Sequence, residues 1–182
     1  MEVTALAIAD VKLITPKRFG DSRGFFSEVY SKPAMHKSGL TMEFVQDNHS
    51  RSATVGTVRG LHFQTPPFAQ DKLVRVTRGR ILDVAVDLRK KSATFGRHVS
   101  AELSAENWAQ LLVPIGFAHA FMTLEPDTEV IYKVSNIYAP QNDVGILWND
   151  PDLAIAWPKG VDVVLSEKDL KLPRLKDIVS PF

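Results

Sequence analysis

The run Ile81-Leu82-Asp83-Val84-Ala85-Val86-Asp87-Leu88 constrains the fold more than any other part of this chain. Leu82, Val84, Val86 and Leu88 recur at every second position, which is the period of a β-strand and not of a helix. The alternation assigns these four to one face and Asp83 and Asp87 to the other. There the aspartates read as a solvated face or a turn-tethering pair. Leu73-Val74-Arg75-Val76 precedes the run, and Arg78-Gly79-Arg80 reads as the turn between two paired strands. Gln110 to Pro114, Ala118 to Leu124 and Glu129 to Val134 extend the pattern. Short strands at close spacing, punctuated by Gly and Pro, predict a sandwich or barrel. Helical signals are few. Pro33 to Ser38, closed by Gly39, predicts one short helix. Ser166 resembles a helix cap with Asp169 three residues on. Leu172 to Phe182 reads as an extended tail over the surface.

The 182 residues suit one domain spanning 1–182. A formal net charge of +1 supplies no global basic field, so nucleic acid is not an expected partner. The absence of cysteine removes disulfides, thiolate metal sites and cysteine nucleophiles together, and fits a cytoplasmic protein. The first residues are interrupted by Glu2, Asp10 and Lys12, unlike a signal peptide. No run approaches the roughly 20 apolar residues of a membrane span.

Two histidine segments carry the chemistry. One is Gly56-Thr57-Val58-Arg59-Gly60-Leu61-His62-Phe63-Gln64, followed by Lys72 and Gly79; the other is Pro114-Ile115-Gly116-Phe117-Ala118-His119. Together they resemble the two cupin motifs, in which three histidines and a glutamate ligate a metal. Here Gln64 stands at the second histidine place and Lys72 at the glutamate place. A lysine ammonium repels a cation, and two histidines fall short of the usual three protein ligands. No metal or other cofactor is expected. A fixed cation at position 72 would instead stabilise a developing oxyanion.

Taken with Phe19 to Glu28, Gln46-Asp47-Asn48-His49-Ser50, Asp83 to Arg89, Tyr138-Ala139-Pro140 and Asp152 to Pro158, these segments resemble the dTDP-4-dehydrorhamnose 3,5-epimerase family over nearly the whole chain. The resemblance implies an all-β, cupin-type (jelly-roll) β-barrel with a few short helices, assembled as a homodimer. It implies a dTDP-sugar substrate, dTDP-4-keto-6-deoxy-D-glucose, inverted at C3 and C5 to dTDP-4-keto-L-rhamnose for surface polysaccharide. The alternative is inversion of one centre of a related sugar. A non-catalytic sugar-nucleotide binding module and a metal cupin are the rivals outside the family.

By position in the family pattern, His62 is the base, Asp169 holds its ring, Lys72 sits near the enolate oxygen and Tyr132 is the acid on the opposite face. Arg59, His119 and Lys168 match positions near the pyrophosphate. Arg23 and Glu28 match positions that reach the nucleotide from the partner subunit. Gln46, Asn48 and Asp143 match further binding positions, and Tyr138 one that packs on thymine. Asp143 replaces an expected glutamate, and Ala120 an expected glycine. On the residues alone, His62 also fits a barrel histidine satisfied by a neighbour, and Tyr132, in phase with Val130 and Val134, fits packing. An inward Lys72, in phase with Val74 and Val76, is a functional hint. Strict alternation puts Arg59 and His62 on opposite faces, so the pyrophosphate role of Arg59 needs a bulge at Gly60.

Overall fold

The computed structural model describes residues 1–182. Its strands are β1 (Glu2–Ala5), β2 (Lys12–Thr15), β3 (Arg18–Asp21), β4 (Gly24–Ser27), β5 (Gln46–Ser52), β6 (Val58–Gln64) and β7 (Lys72–Arg78). They continue with β8 (Arg80–Asp87), β9 (His98–Ser104), β10 (Gln110–Val113), β11 (Phe117–Thr123), β12 (Thr128–Val134) and β13 (Asp143–Gly145). The single α-helix, α1 (Lys32–Lys37), starts one residue before Pro33 and stops ahead of Gly39, as its sequence signals anticipate. No helix is long and apolar enough to cross a membrane.

One sheet runs β1-β2-β10-β7-β12-β5 and the other β13-β6-β11-β8-β9, with β3 and β4 as a separate hairpin. All named ladders are antiparallel. The expected all-β jelly-roll architecture is present, but no strand ladder joins the two sheets: the barrel is an open sandwich and not a closed one. Its interior is apolar at one end, where Val74, Val76, Ile81, Ala85, Leu103, Leu111, Phe121 and Val130 meet.

The five-stranded sheet is buried on both faces. Its outer side, with Leu61, Phe63, Val84, Val86, Leu88, Ala118 and Ala120, is covered by Ile146, Leu153, Trp157, Leu175, Ile178 and Phe182. The C-terminal stretch runs over the surface as its sequence reads, with a 3-10 turn at Leu175–Asp177, and its Leu175, Ile178 and Phe182 also cover a second core. One expectation is corrected: the apolar face of β8 points out to that core. Asp83 and Asp87 therefore point into the sandwich and have no solvent exposure. Asp87 does tether a turn, accepting hydrogen bonds from Arg89, Ser92 and Thr94. Burial opposes its charge, yet these donors hold its carboxyl well below the usual carboxylate range. The outer side of the six-stranded sheet is covered more thinly, by Met35, Leu40 and their neighbours over Ile14, Leu73 and Leu112.

Candidate active site

Residues directly opposite each other in a ladder share a face, so register shows which side chains enter the sandwich. On β11, Phe117 and Phe121 belong to the interior core, and His119 lies between them in phase. His119 pairs with His62 on β6, and Phe121 pairs with Arg59. Between these pairs one residue of β11, Ala120, lies opposite two of β6, Gly60 and Leu61, which is a bulge, and it brings both Arg59 and His62 to the interior. Gly60 makes this possible. Its φ is +123°, and an added Cβ would lie 2.5 Å from both the Ala120 Cβ and the His119 carbonyl oxygen. The alanine at 120 is accommodated because its neighbour across the ladder has no side chain.

From the facing sheet, Tyr132 on β12 pairs with Val74 on β7 and with Asn48 on β5, and Val134 pairs with Lys72 and Gln46. Gln46, Asn48, Lys72 and Tyr132 therefore look into the same space. The result is a cleft of about 380 Å³ lined by Arg59, His62, Lys72, His119, Tyr132, Lys168 and Asp169, with Ser50, Phe121 and Ser166 among the remaining wall residues. A side lobe of about 130 Å³ shares His62, Lys72 and Tyr132 and adds Gln46, Asn48, Tyr138 and Asp143.

The His62 Nε2 lies 2.5 Å from the Asp169 Oδ1. A carboxylate only accepts, so Nε2 carries the proton and Nδ1 is left as the basic nitrogen. Asp169 opens a 3-10 turn, Asp169–Lys171, and not the helix its flanking residues suggest; the N-cap is Lys168 and not Ser166, although the Ser166 Oγ accepts the Asp169 N–H at 3.1 Å. Burial works against ionisation of Asp169, yet the His62 ring, the Ser166 hydroxyl and the Gly60 N–H hold its carboxyl below the usual range.

Lys72 donates to the His62 carbonyl at 3.3 Å. Desolvation lowers its ammonium to about 8, against the pull of Asp143 and Asp83. Burial raises the Tyr132 phenol above its ordinary value, although the Arg59 charge works the other way, so the hydroxyl is a held proton at neutral pH. Arg59 is fixed by its Nε on the Ser52 Oγ and its Nη2 on the Arg51 carbonyl, each at 3.2 Å. Asp143 reaches Lys168 at 2.5 Å and accepts from the Tyr138 hydroxyl at 3.2 Å, so the shorter carboxylate still bridges two elements. Gln46 donates to Asn48 at 2.8 Å.

The donor set does not fit a cupin metal. Gln64 spends its amide on the Phe68 and Ile137 carbonyls and the Ala139 N–H, and no three His, Asp or Glu side chains converge.

Arg23 and Glu28 do not join this cleft in their own chain. Arg23 is exposed on the β3–β4 turn and paired with Asp21, and Glu28 is exposed just beyond β4. Two residues escaped the reading of the sequence. Ser50 continues the every-second-residue series of Gln46 and Asn48, a signal that could have found it; its buried Oγ has no hydrogen-bond partner. Asp83, read as solvated, instead accepts a 2.5 Å hydrogen bond from the His119 Nε2.

A family model described as dTDP-4-dehydrorhamnose 3,5-epimerase matches residues 5–177. The chain belongs to this family. A dTDP-4-dehydrorhamnose 3,5-epimerase of Sinorhizobium fredii (strain NBRC 101917 / NGR234) is 55% identical over 182 residues, covering 100% of this chain and 93% of the relative. The crystal structure of the Bacillus anthracis epimerase with TDP and PPi bound is 53% identical, covers 95% of this chain and 98% of that one, and superposes with a TM-score of 0.92. The Legionella pneumophila epimerase in complex with dTDP-4-keto-L-rhamnose is 43% identical, with coverages of 96% and 93% and a TM-score of 0.92. A 3'-monoepimerase from Streptomyces bikiniensis in complex with dTDP-quinovose is 32% identical, with coverages of 94% and 87% and a TM-score of 0.88. The 3,5-epimerase family thus accounts for the sandwich from end to end.

Proposed function

We propose that this protein inverts C3 and C5 of dTDP-4-keto-6-deoxy-D-glucose to give dTDP-4-keto-L-rhamnose, for rhamnose-containing surface polysaccharide, without a redox cofactor. The observation that carries the reading is the His62–Asp169 pair at 2.5 Å in one cleft with Lys72 and Tyr132. A C4 ketone acidifies the protons on its two neighbours. His62 Nδ1 takes one of them, and the electron pair moves onto the ketone oxygen as an enolate. The Lys72 ammonium stabilises that oxygen, and the Tyr132 hydroxyl returns a proton from the opposite face, collapsing the enolate to the ketone with inverted configuration. His62 then releases its proton to solvent and the Tyr132 phenolate regains one, resetting both groups for the second centre. Base, acid and cation each belong to a type of group worth several orders of magnitude in rate.

Arg59, His119 and Lys168 hold the diphosphate, the guanidinium by a two-pronged contact, while Gln46, Asn48, Asp143 and Tyr138 serve the sugar and thymine side. A homodimer completes the site. Arg23 and Glu28 lie outside their own cleft, on or beside a hairpin that exposes Phe19 at 54% and Phe26 at 70%, and a contiguous apolar patch of this kind marks an interface. The full chain, 1–182, acts as one cytoplasmic domain.

The test is proton NMR of dTDP-4-keto-6-deoxyglucose in deuterated water with the enzyme. Deuterium entering at both C3 and C5 is the expected result. Label at one carbon only would make the protein a single-centre epimerase, like the 3'-monoepimerase relative. No label with nucleotide binding intact would leave a binding module.

A further inference from the structure

Beyond these assignments, the sandwich buries one carboxylate that the epimerisation itself does not use. Asp83 sits on β8 with no solvent exposure. Its Oδ1 accepts from the His119 Nε2 at 2.5 Å and from the Val84 N–H at 3.2 Å, and its Oδ2 has no partner at all. A carboxyl group left half-satisfied in a buried interior is costly. Such a group persists where its charge serves something nearby.

Two cationic or basic groups of the cleft lie within its influence. His119 is one, directly bonded. Because a carboxylate cannot donate, this bond fixes the proton on Nε2 and leaves Nδ1 as the ring's other polar atom. Lys72 is the second. It enters from β7 in the opposite sheet, and Asp83 is one of two carboxylates whose field favours its charged form. The other is Asp143, which is already 2.5 Å from the Lys168 ammonium, itself a charge that opposes Lys72. The same cleft also holds His62, whose carbonyl accepts a hydrogen bond from the Lys72 ammonium, the neutral Tyr132 phenol, Arg59, His119 and Asp169. Asp83 is in phase with the interior residues Ile81 and Ala85 of β8, as Lys72 is with Val74 and Val76 of β7, and one of its oxygens is uncommitted.

We propose that Asp83 is a positioning residue with two clients: it locks the His119 ring through Nε2 and supplies the buried counter-charge that keeps Lys72 an ammonium in the cleft. The proposal rests on the epimerase reading for the roles of those two residues. Desolvation alone drives Lys72 toward neutrality, and a neutral amine cannot stabilise an enolate oxygen as a cation does.

Asp83→Asn keeps the shape and removes the charge. The alkaline limb of its kcat/KM profile moves to lower pH than in the wild type, the direction expected when a nearby opposite charge is lost. The 13C shift of the Lys72 ε-carbon titrates with the same displacement. An unmoved limb and an unmoved Lys72 titration in a folded variant, whatever its residual rate, would reduce Asp83 to a packing role and overturn the proposal. Should the variant fail to fold, long-range 1H–15N correlation of the wild-type histidines tests the first client: a proton on the His119 Nε2 supports it, and a proton on Nδ1 alone sinks it. If wild-type protein turned over no 4-keto sugar, the proposed function would fail, while the Lys72 and His119 titrations by NMR would still decide the role of Asp83.

Discussion

The cleft contains two histidine–carboxylate pairs with the same 2.5 Å spacing and different surroundings. The His62 ring is 28% exposed, and its carboxylate comes from a turn 107 residues further along the chain. The His119 ring is 8% exposed, and its carboxylate stands on the neighbouring strand, itself wholly buried. A base must exchange protons with substrate and then with solvent, and only the first ring is open enough for both. A ring sealed against a rigid strand is suited to hold one orientation. On the proposed reading, the same pairwise spacing serves a reactive pair and a fixed one, and access separates them.

The sharpest way to break this contrast is to remove each ring in turn. His62→Ala loses about 10²–10⁴-fold in kcat, the range for a general base, with dTDP affinity by calorimetry little changed. His119→Ala shows its main loss in KM and dTDP affinity. Equal kcat losses for the two would erase the distinction. Next in size, Lys72→Met lowers kcat by about 10²–10³-fold, as loss of an oxyanion stabiliser does, in steady-state assays with the 4-keto sugar.

The pH profile sharpens the same point. On the proposed reading Lys72 acts as the ammonium, which burial lowers to about 8, so kcat/KM is expected to fall above that pH, well before an ordinary lysine would lose its charge. Its effect on stability has the opposite sense. Between about 8 and the ordinary 10.5 the unfolded chain holds a proton that the folded one has released, so this group's contribution to stability rises with pH across that window. The smallest effect is at Ser50. Its unpartnered hydroxyl is free to bond the substrate, and Ser50→Ala raises KM by about 2–10-fold, the worth of one neutral hydrogen bond, with kcat kept. Unchanged KM would place Ser50 outside the bound complex.

Much of this arrangement was legible in the sequence, unevenly. β8, its turn at Gly79, β11 and β12 all announced themselves by alternation, and the phase conflict between Arg59 and His62 pointed to the bulge at Gly60. Alternation gives a period without a sign, however. It could not say that the valines of β8 face a second core built from residues 146–182, or that Asp83 faces inward. β5 carried no periodic apolar signal, because its inner face of Gln46, Asn48, Ser50 and Ser52 lines a polar cleft. Asp169 could be reached only through the family resemblance, since nothing local joins it to His62.

That last connection has a consequence for how the molecule fails. The stretch carrying Asp169 is held to the five-stranded sheet by a layer of side chains from Ile146 to Phe182, separate from the core between the sheets. Peeling that layer would strip His62 of its Asp169 partner while the ladders beneath stayed paired. Mild denaturant or heat would then silence the protein in a state that still looks folded by its strands, and activity would be the earlier alarm.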